Sequence, residues 1–227
     1  VRRRAHERGL RVIDATCPLV SRVHGEVRRY ARAGRKIVLI GHRGHEEVEG
    51  TLGEAPDRIW VVKDEEEIRA LPIGRDEPVA YAIQTTLAVD EAMRLVRVLR
   101  ERFTDLVGPG KEDICYATQN RQAAVRAIAP KCDLVLVAGA TNSSNSNRLV
   151  EVARREGTEA YLVPAASAID PKWLEGVSVV GVSAGASAPR RLVDATLARL
   201  AEHGFDRVRN HLEMTEDVEF NVPRFPA

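Results

Sequence analysis

The strongest constraint on the fold is a regular alternation of short apolar runs with amphipathic stretches. Apolar runs such as "KIVLIG", "VAYAI" and "LVLVAG" are each followed by a longer stretch that has apolar residues at about every third or fourth position. An example of such a stretch is "AVDEAMRLVRVLRERF". Short buried strands that alternate with helices are typical of parallel sheets covered by helices on both faces. We therefore predict an α/β fold.

The alternation runs twice with matching landmarks. The landmarks are a cysteine, a glycine turn and a hydroxyl-rich turn, which are Cys17, Gly41 and Gln84 in the first pass and Cys115, Gly139 and Ser183 in the second. The cysteine and the glycine are 24 positions apart in both passes, and the glycine and the third landmark are 43 and 44 positions apart. These spacings predict two duplicated units of short parallel sheets flanked by helices.

Gly108, Pro109 and Gly110 interrupt both helical and strand patterns and predict the boundary between the units. We place one unit at 17–107, the second at 108–205 and a polar tail at 206–227. Each unit is expected to open on a strand that runs into its cysteine, namely "LRVIDAT" before Cys17 and "EDIC" ending at Cys115. The chain begins on Val1 with a helix-like pattern, from which we expect the natural protein to start upstream.

Composition excludes several classes of protein. The net charge is +1, which gives no overall field directed at nucleic acid or a membrane surface. No apolar run approaches the roughly 20 residues of a membrane helix. Three widely spaced cysteines without a secretion signal argue against a disulfide framework and favour a cytoplasmic location.

Cys17 and Cys115 occupy the same position of the duplicated unit. Thiolates from separate segments that meet in one cavity suit a soft metal or an iron–sulfur cluster. The alternative is that each is a small buried apolar residue. Cys132 has no counterpart in the other unit, and packing is the interpretation we favour for it.

The turn "GHRGHEEVEG" places His42 and His45 beside carboxylates at a predicted strand end. A histidine there can bind an anion or relay protons, whereas the alternative is a solvated turn with acidic residues at a helix start. The string lacks the HExxH spacing of a zinc site.

The turn "TNSSNSN" precedes a predicted helix and consists only of small hydrogen-bonding residues. A helix start offers free backbone N–H groups, so Ser143, Ser144 and Asn145 there predict a phosphate site. A simple N-cap needs one such residue. Thr85, Thr86 and the "SAGAS" turn add hydroxyl groups, and no GxGxxG or Walker loop indicates a nucleotide.

Six segments together resemble the 4-hydroxy-3-methylbut-2-enyl diphosphate reductase family: "DATCPLVSRVHGEV", "IGHRGHEEVEGT", "QTTLAVDEA", "EDICYATQNRQAAVR", "TNSSNSNRL" and "VSAGASAP". The resemblance implies three similar α/β units in a trefoil around an iron–sulfur cluster of the [4Fe-4S] type, held by one cysteine from each unit. Cys17 and Cys115 are similar to two of these ligands. Residues 1–16 would be the remnant of a first unit, and the third thiolate would be absent from this chain.

The resemblance also assigns roles to polar residues. Glu47 is similar to the family's proton-relay acid, and Thr85 to the threonine near the substrate hydroxyl. The set implied to bind the diphosphate substrate is His45, Ser143, Ser144, Asn145, Ser187 and Thr118. Ferredoxin or flavodoxin is the implied electron donor. Two alternatives are a non-catalytic phosphometabolite-binding module and an inactive truncated fragment.

Overall fold

Two parallel β-sheets organise the chain, which confirms the predicted α/β class. The computed structural model describes residues 2–110 and 113–211. The first sheet has the order β2-β1-β3-β4 and the second the order β6-β5-β7. The strands are β1 (Lys36–Ile40), β2 (Ile59–Val62), β3 (Val79–Ile83), β4 (Leu106–Val107), β5 (Leu134–Ala138), β6 (Glu159–Val163) and β7 (Val180–Ala184).

Helices connect the parallel strands, as parallel pairing requires. They are α1 (Arg2–Glu7), α2 (Pro18–Arg32), α3 (Glu46–Leu52), α4 (Glu65–Arg69), α5 (Val89–Arg102), α6 (Tyr116–Ile128), α7 (Ser144–Arg155) and α8 (Arg190–Glu202). Short 3₁₀ turns follow α6 and β6. No helix within residues 2–110 and 113–211 is both long enough and apolar enough to cross a membrane.

The central strand β1 shows why an uninterrupted apolar run forms these sheets. Val38 and Ile40 point into one core with α4 and α5, while Ile37 and Leu39 point into a second core with α2. Side chains of a strand alternate between faces, so a strand covered on both faces has no polar positions. β5 is built in the same way, with all five residues buried.

Equivalent backbone hydrogen bonds lie at the carboxyl ends of the central strands β1 and β5. The N–H of Gln84 donates to the Ile40 carbonyl, and the N–H of Gly185 donates to the Ala138 carbonyl, both at 2.9 Å. The structural counterpart of Gln84 is therefore Gly185. The prediction that Ser183 is the counterpart of Gln84 was wrong, because Ser183 lies inside β7.

The two strands predicted before the cysteines are wrong. Residues 10–17 are irregular and pair with no strand of the described chain, and Leu10 and Ile13 are 50% and 42% exposed. An apolar run becomes a strand only where another strand offers backbone partners. In the second segment, "EDIC", residues 113–115 also form no strand. The Asp113 carboxylate accepts the N–H of Ile83 at 2.9 Å, in place of a backbone carbonyl from a neighbouring strand.

The first sheet ends on β4, which pairs with only two residues of β3. Gly108 follows it, and a Cβ atom at this position would collide with the Tyr81 ring. The unit limits 17–107 and 108–205 stay a prediction. Most of the predicted tail, residues 212–227, lies outside the described residues.

Candidate active site

A carboxylate and a threonine join the turns after β1 and β3. Glu47 lies in the first turn of α3, and its Oε1 accepts the Thr85 N–H at 2.7 Å while its Oε2 accepts the Thr85 hydroxyl at 3.0 Å. Burial raises the pKa of Glu47, and the two hydrogen bonds from Thr85 offset part of that rise. A carboxyl group with a raised pKa holds its proton closer to neutral pH, which suits proton delivery.

His45 caps the helix that carries Glu47. Its Nδ1 accepts the backbone N–H of Glu47 at 3.2 Å. Burial lowers the pKa of His45, so the neutral ring is favoured. A neutral imidazole that accepts at Nδ1 carries its proton on Nε2, which can donate to an anion.

The two candidate metal-binding cysteines both occupy helix starts rather than strand ends. Cys17 precedes α2 and Cys115 precedes α6, with φ/ψ of −51°/132° and −59°/132°. Neither side chain caps its helix, and both thiols are free. The Cys115 N–H donates to the Thr85 carbonyl at 3.0 Å, which places Cys115 at the carboxyl end of β3 and beside the pair of Glu47 and Thr85.

Free thiols at helix starts are suitable donors for a soft metal. Within 2–110 and 113–211, however, no three histidine, cysteine or acidic residues form a group that could hold a metal ion. Cys132 packs against the core between β5 and helices α6 and α7 and approaches Gly181, in line with the packing role predicted for it.

The predicted phosphate turn lies at the start of α7. Ser143 is the N-cap residue and accepts the Ser146 N–H at 3.3 Å. Ser144 crosses to the other sheet, where its hydroxyl lies 3.0 Å from the Thr86 hydroxyl and accepts the Gln84 amide at 3.3 Å. The turn thus bridges the carboxyl ends of both sheets.

Asn145 is the residue of this turn that most clearly indicates a ligand. It is 6% exposed, and neither its Nδ2 nor its Oδ1 has a hydrogen-bond partner among the described residues. A buried amide without partners costs about 1–3 kcal/mol. Such a group is explained when a ligand or a bound water completes its hydrogen bonds.

Three of the predicted site residues form no hydrogen bond with the site residues described above, within the described chain. Cys17 and Ser187 are exposed. Thr118 is buried in α6 at 1% exposure. Their proposed roles as a metal ligand (Cys17) and as substrate-binding residues (Ser187 and Thr118) stay predictions.

Sequence reasoning missed two residues that organise the site. Gln84 accepts the His42 N–H at 3.0 Å and donates to Thr86 at 2.8 Å, so one amide ties two turns together. Arg148, on α7, contacts His42 in the other unit and forms an ion pair with Glu91 at 3.3 Å. Two features of the sequence could have indicated them. Gln84 stands next to "TT" at a predicted strand end, and Arg148 follows Ser144 by about one helical turn.

Asp113 was also missed, and it stabilises the segment before Cys115. The residue is fully buried, and its Oδ1 lies 4.0 Å from Arg22. Burial is the largest cause that raises its pKa to about 7, and the neighbouring Glu26 carboxyl raises it further. The Ile83 N–H and Arg22 act in the opposite direction.

This shift predicts how stability depends on pH. The folded state binds the Asp113 proton more tightly than the unfolded state. The contribution of Asp113 to the free energy of unfolding is therefore present below pH 3.8 and is lost as the pH rises towards about 7. The loss has a limiting slope of ~1.4 kcal/mol per pH unit. Asp113→Asn, which keeps an acceptor for Ile83, should remove this part of the slope in urea unfolding measured from pH 4 to 8. The exposed variant Asp57→Asn is the control, and an unchanged slope in Asp113→Asn would contradict the assignment.

Comparison with known proteins shows the family of this chain. The family model described as LytB protein matches residues 1–201. The chain belongs to the LytB family. A curated relative from Stenotrophomonas maltophilia, named 4-hydroxy-3-methylbut-2-enyl diphosphate reductase, is 54% identical over an alignment of 229 residues that covers 99% of this chain and 72% of the relative. The reductase of the same name from Xanthomonas campestris pv. campestris is 53% identical with the same coverage.

A solved LytB-type structure shares the fold. It is the E-1-hydroxy-2-methyl-but-2-enyl-4-diphosphate reductase from Plasmodium falciparum, with a TM-score of 0.92 and 31% identity. The match covers 98% of this chain and 70% of the solved chain. The resemblance that the six sequence segments carried is thereby confirmed at the level of the family and of an oxidoreductase class.

Proposed function

We propose that this protein reductively removes the allylic hydroxyl of 4-hydroxy-3-methylbut-2-enyl diphosphate. Two electrons and two protons enter: the C–O bond breaks, one proton converts the hydroxyl into water, and the other forms a C–H bond of the product. The products are isopentenyl and dimethylallyl diphosphate. The observation that carries the proposal is the unpartnered Asn145 amide at the start of α7, on the turn that Ser144 joins to the end of β3. That end also carries the pair of Glu47 and Thr85.

The diphosphate would bind at the start of α7. Backbone N–H groups of the first helical turn and the positive end of the helix dipole favour an anion there. The Asn145 amide and the Ser143 hydroxyl add neutral donors, and the Nε2–H of His45 is a further donor from the opposite unit. Ser144 would contribute from its position between the two sheets, and Ser187 and Thr118 complete the proposed set.

Glu47 would deliver the proton to the leaving hydroxyl. Its carboxyl is mostly buried and held by two hydrogen bonds from Thr85, so its orientation does not depend on the substrate. The Thr85 hydroxyl, which donates to Glu47, would contact the same oxygen. Water-excluding surroundings strengthen such electrostatic contacts.

An iron–sulfur cluster, when bound, would supply the electrons and a Lewis-acidic iron. Cys17 and Cys115 would provide thiolates for it, with the remaining ligand from outside the described residues. The sequence has no nucleotide motif that could hold a reduced nicotinamide. We propose that a protein of the ferredoxin or flavodoxin class delivers the electrons, as the resemblance to the reductase family implies.

Replacing Asn145 tests this function, because its amide has no structural partner to lose. Asn145→Ala should leave the thermal midpoint unchanged or slightly raised, since a buried unpaired amide is removed. Substrate affinity should fall roughly 10- to 100-fold, because a hydrogen bond to a charged group contributes about 1.5–3 kcal/mol. Calorimetric binding of the diphosphate substrate and thermal unfolding of the full-length protein measure the two effects.

Asn142→Ala is the matched control, since Asn142 is an exposed asparagine of the same turn. It should retain the affinity of the wild-type protein. Equal affinities of Asn145→Ala and the wild type would show that the substrate does not bind at the start of α7.

A further inference from the structure

Ser146 is the most deeply buried hydroxyl of the phosphate turn, and the function proposed above gives it no role. It is 1% exposed and lies in the first turn of α7. Its hydroxyl fits between the glycine turns that follow β5 and β7. A Cβ atom on either Gly139 or Gly185 would overlap with the Ser146 Oγ, so both turns need glycine for this placement.

The contact between Ser146 and Ser143 has a defined direction. The Ser146 hydroxyl donates to the Ser143 Oγ at 3.0 Å, and the Ser146 backbone N–H donates to the same oxygen at 3.3 Å. A serine oxygen has two acceptor lone pairs and one hydrogen. Both acceptor positions of Ser143 are therefore used, and only its hydrogen is left for a ligand.

We propose that Ser146 is a positioning residue that makes the Ser143 hydroxyl an obligate hydrogen-bond donor towards the diphosphate. This inference rests on the proposed function, because it assumes that Ser143 faces the bound anion. Ionised phosphate oxygens only accept hydrogen bonds, so a hydroxyl orientated in advance as a donor matches them. A free serine hydroxyl would have to lose its rotational freedom on binding.

The proposal separates two kinds of hydroxyl in this turn. Ser143 is half-buried and can reach a ligand, whereas Ser146 is enclosed and acts through Ser143. Ser144 differs from both, since its hydroxyl also contacts Thr86 and Gln84 across the sheets, beside its proposed part in binding the diphosphate. The turn thus uses neighbouring serines for ligand contact, for bridging the two sheets and for orientation.

A double-mutant cycle on the full-length protein tests this relation, with inorganic pyrophosphate as the probe and calorimetry as the readout. Ser146→Ala should weaken pyrophosphate binding roughly fivefold, the effect of one neutral hydrogen bond. Ser143→Ala should weaken it at least as much. Adding Ser146→Ala to Ser143→Ala should change the affinity no further, because the hydroxyl through which Ser146 acts is gone. In turnover assays with the allylic substrate, Ser146→Ala should raise KM and leave kcat unchanged.

The outcomes distinguish the positioning role of Ser146 from the proposed binding of the diphosphate at the start of α7. If Ser143→Ala weakens binding and Ser146→Ala does not, or if the two effects add, the positioning role is wrong and the binding site stands. If neither variant changes the affinity, the α7 site itself is wrong. Ser167→Ala, an exposed serine on a 3₁₀ turn, is the control. Should Ser146→Ala fail to fold, Gly185→Ala displaces the same hydroxyl and must give the same loss of affinity.

Discussion

Glu47→Gln is expected to lower turnover by roughly 10²- to 10⁴-fold, the range that a positioned general acid contributes. The glutamine keeps the shape of the side chain, and its oxygen can still accept the Thr85 N–H. Its amide can donate to the Thr85 hydroxyl, so the turn remains tied to β3. What the variant loses is the transferable proton. Steady-state kinetics of the full-length reconstituted enzyme would measure the drop in kcat, with KM and iron content close to wild type.

The neighbouring residue supplies the control for this prediction. Glu46 is exposed in the same helical turn, and Glu46→Gln should retain wild-type turnover. The pKa of Glu47 is raised by burial, so the proton-bearing form is lost only as the pH rises through that raised value. Wild-type kcat should therefore fall on the alkaline side, and Glu47→Gln should not show that limb. A variant with wild-type turnover would remove Glu47 from the mechanism.

Cys115→Ser is expected to abolish both iron retention and turnover. Serine keeps the helix start and the N–H that donates to the Thr85 carbonyl, so the backbone of the segment is preserved. It removes a soft thiolate ligand, for which a hydroxyl is a poor replacement. Iron and sulfide analysis after anaerobic reconstitution, together with the visible absorbance of the sample, measures the loss. Cys17→Ser should behave in the same way.

Cys132→Ser is the matched control for the thiol substitutions. Cys132 is half-buried against the core between β5 and helices α6 and α7, and burial raises the pKa of its thiol, which disfavours the thiolate that binds metals. Its serine variant should lose some stability and keep its iron. Equal iron content in all three variants would show that neither Cys17 nor Cys115 holds the cluster.

Much of the fold follows from local patterns of the sequence. The run that becomes β1 and the periodic stretch that becomes α5 are recognisable because alternation and helical periodicity are properties of neighbouring residues. The turn "TNSSNSN" was recognisable as a helix start for the same reason, since the cap of α7 and its small polar residues are contiguous. The strands predicted before Cys17 and Cys115 were wrong because a strand also depends on a partner that the local sequence does not specify.

The sequence by itself determined which residues could form strands, helices and the small polar turn that starts α7, because those properties act over a few neighbouring positions. Only the tertiary structure decided that Thr85 holds Glu47 and contacts the Cys115 backbone, and that Asn145 is buried without a partner. Glu47 and Thr85 are 38 positions apart, and Thr86 and Ser144 are 58 apart. The first contact forms only when β1 and β3 have paired, and the second only when both sheets have packed, so their geometry is a property of the tertiary fold.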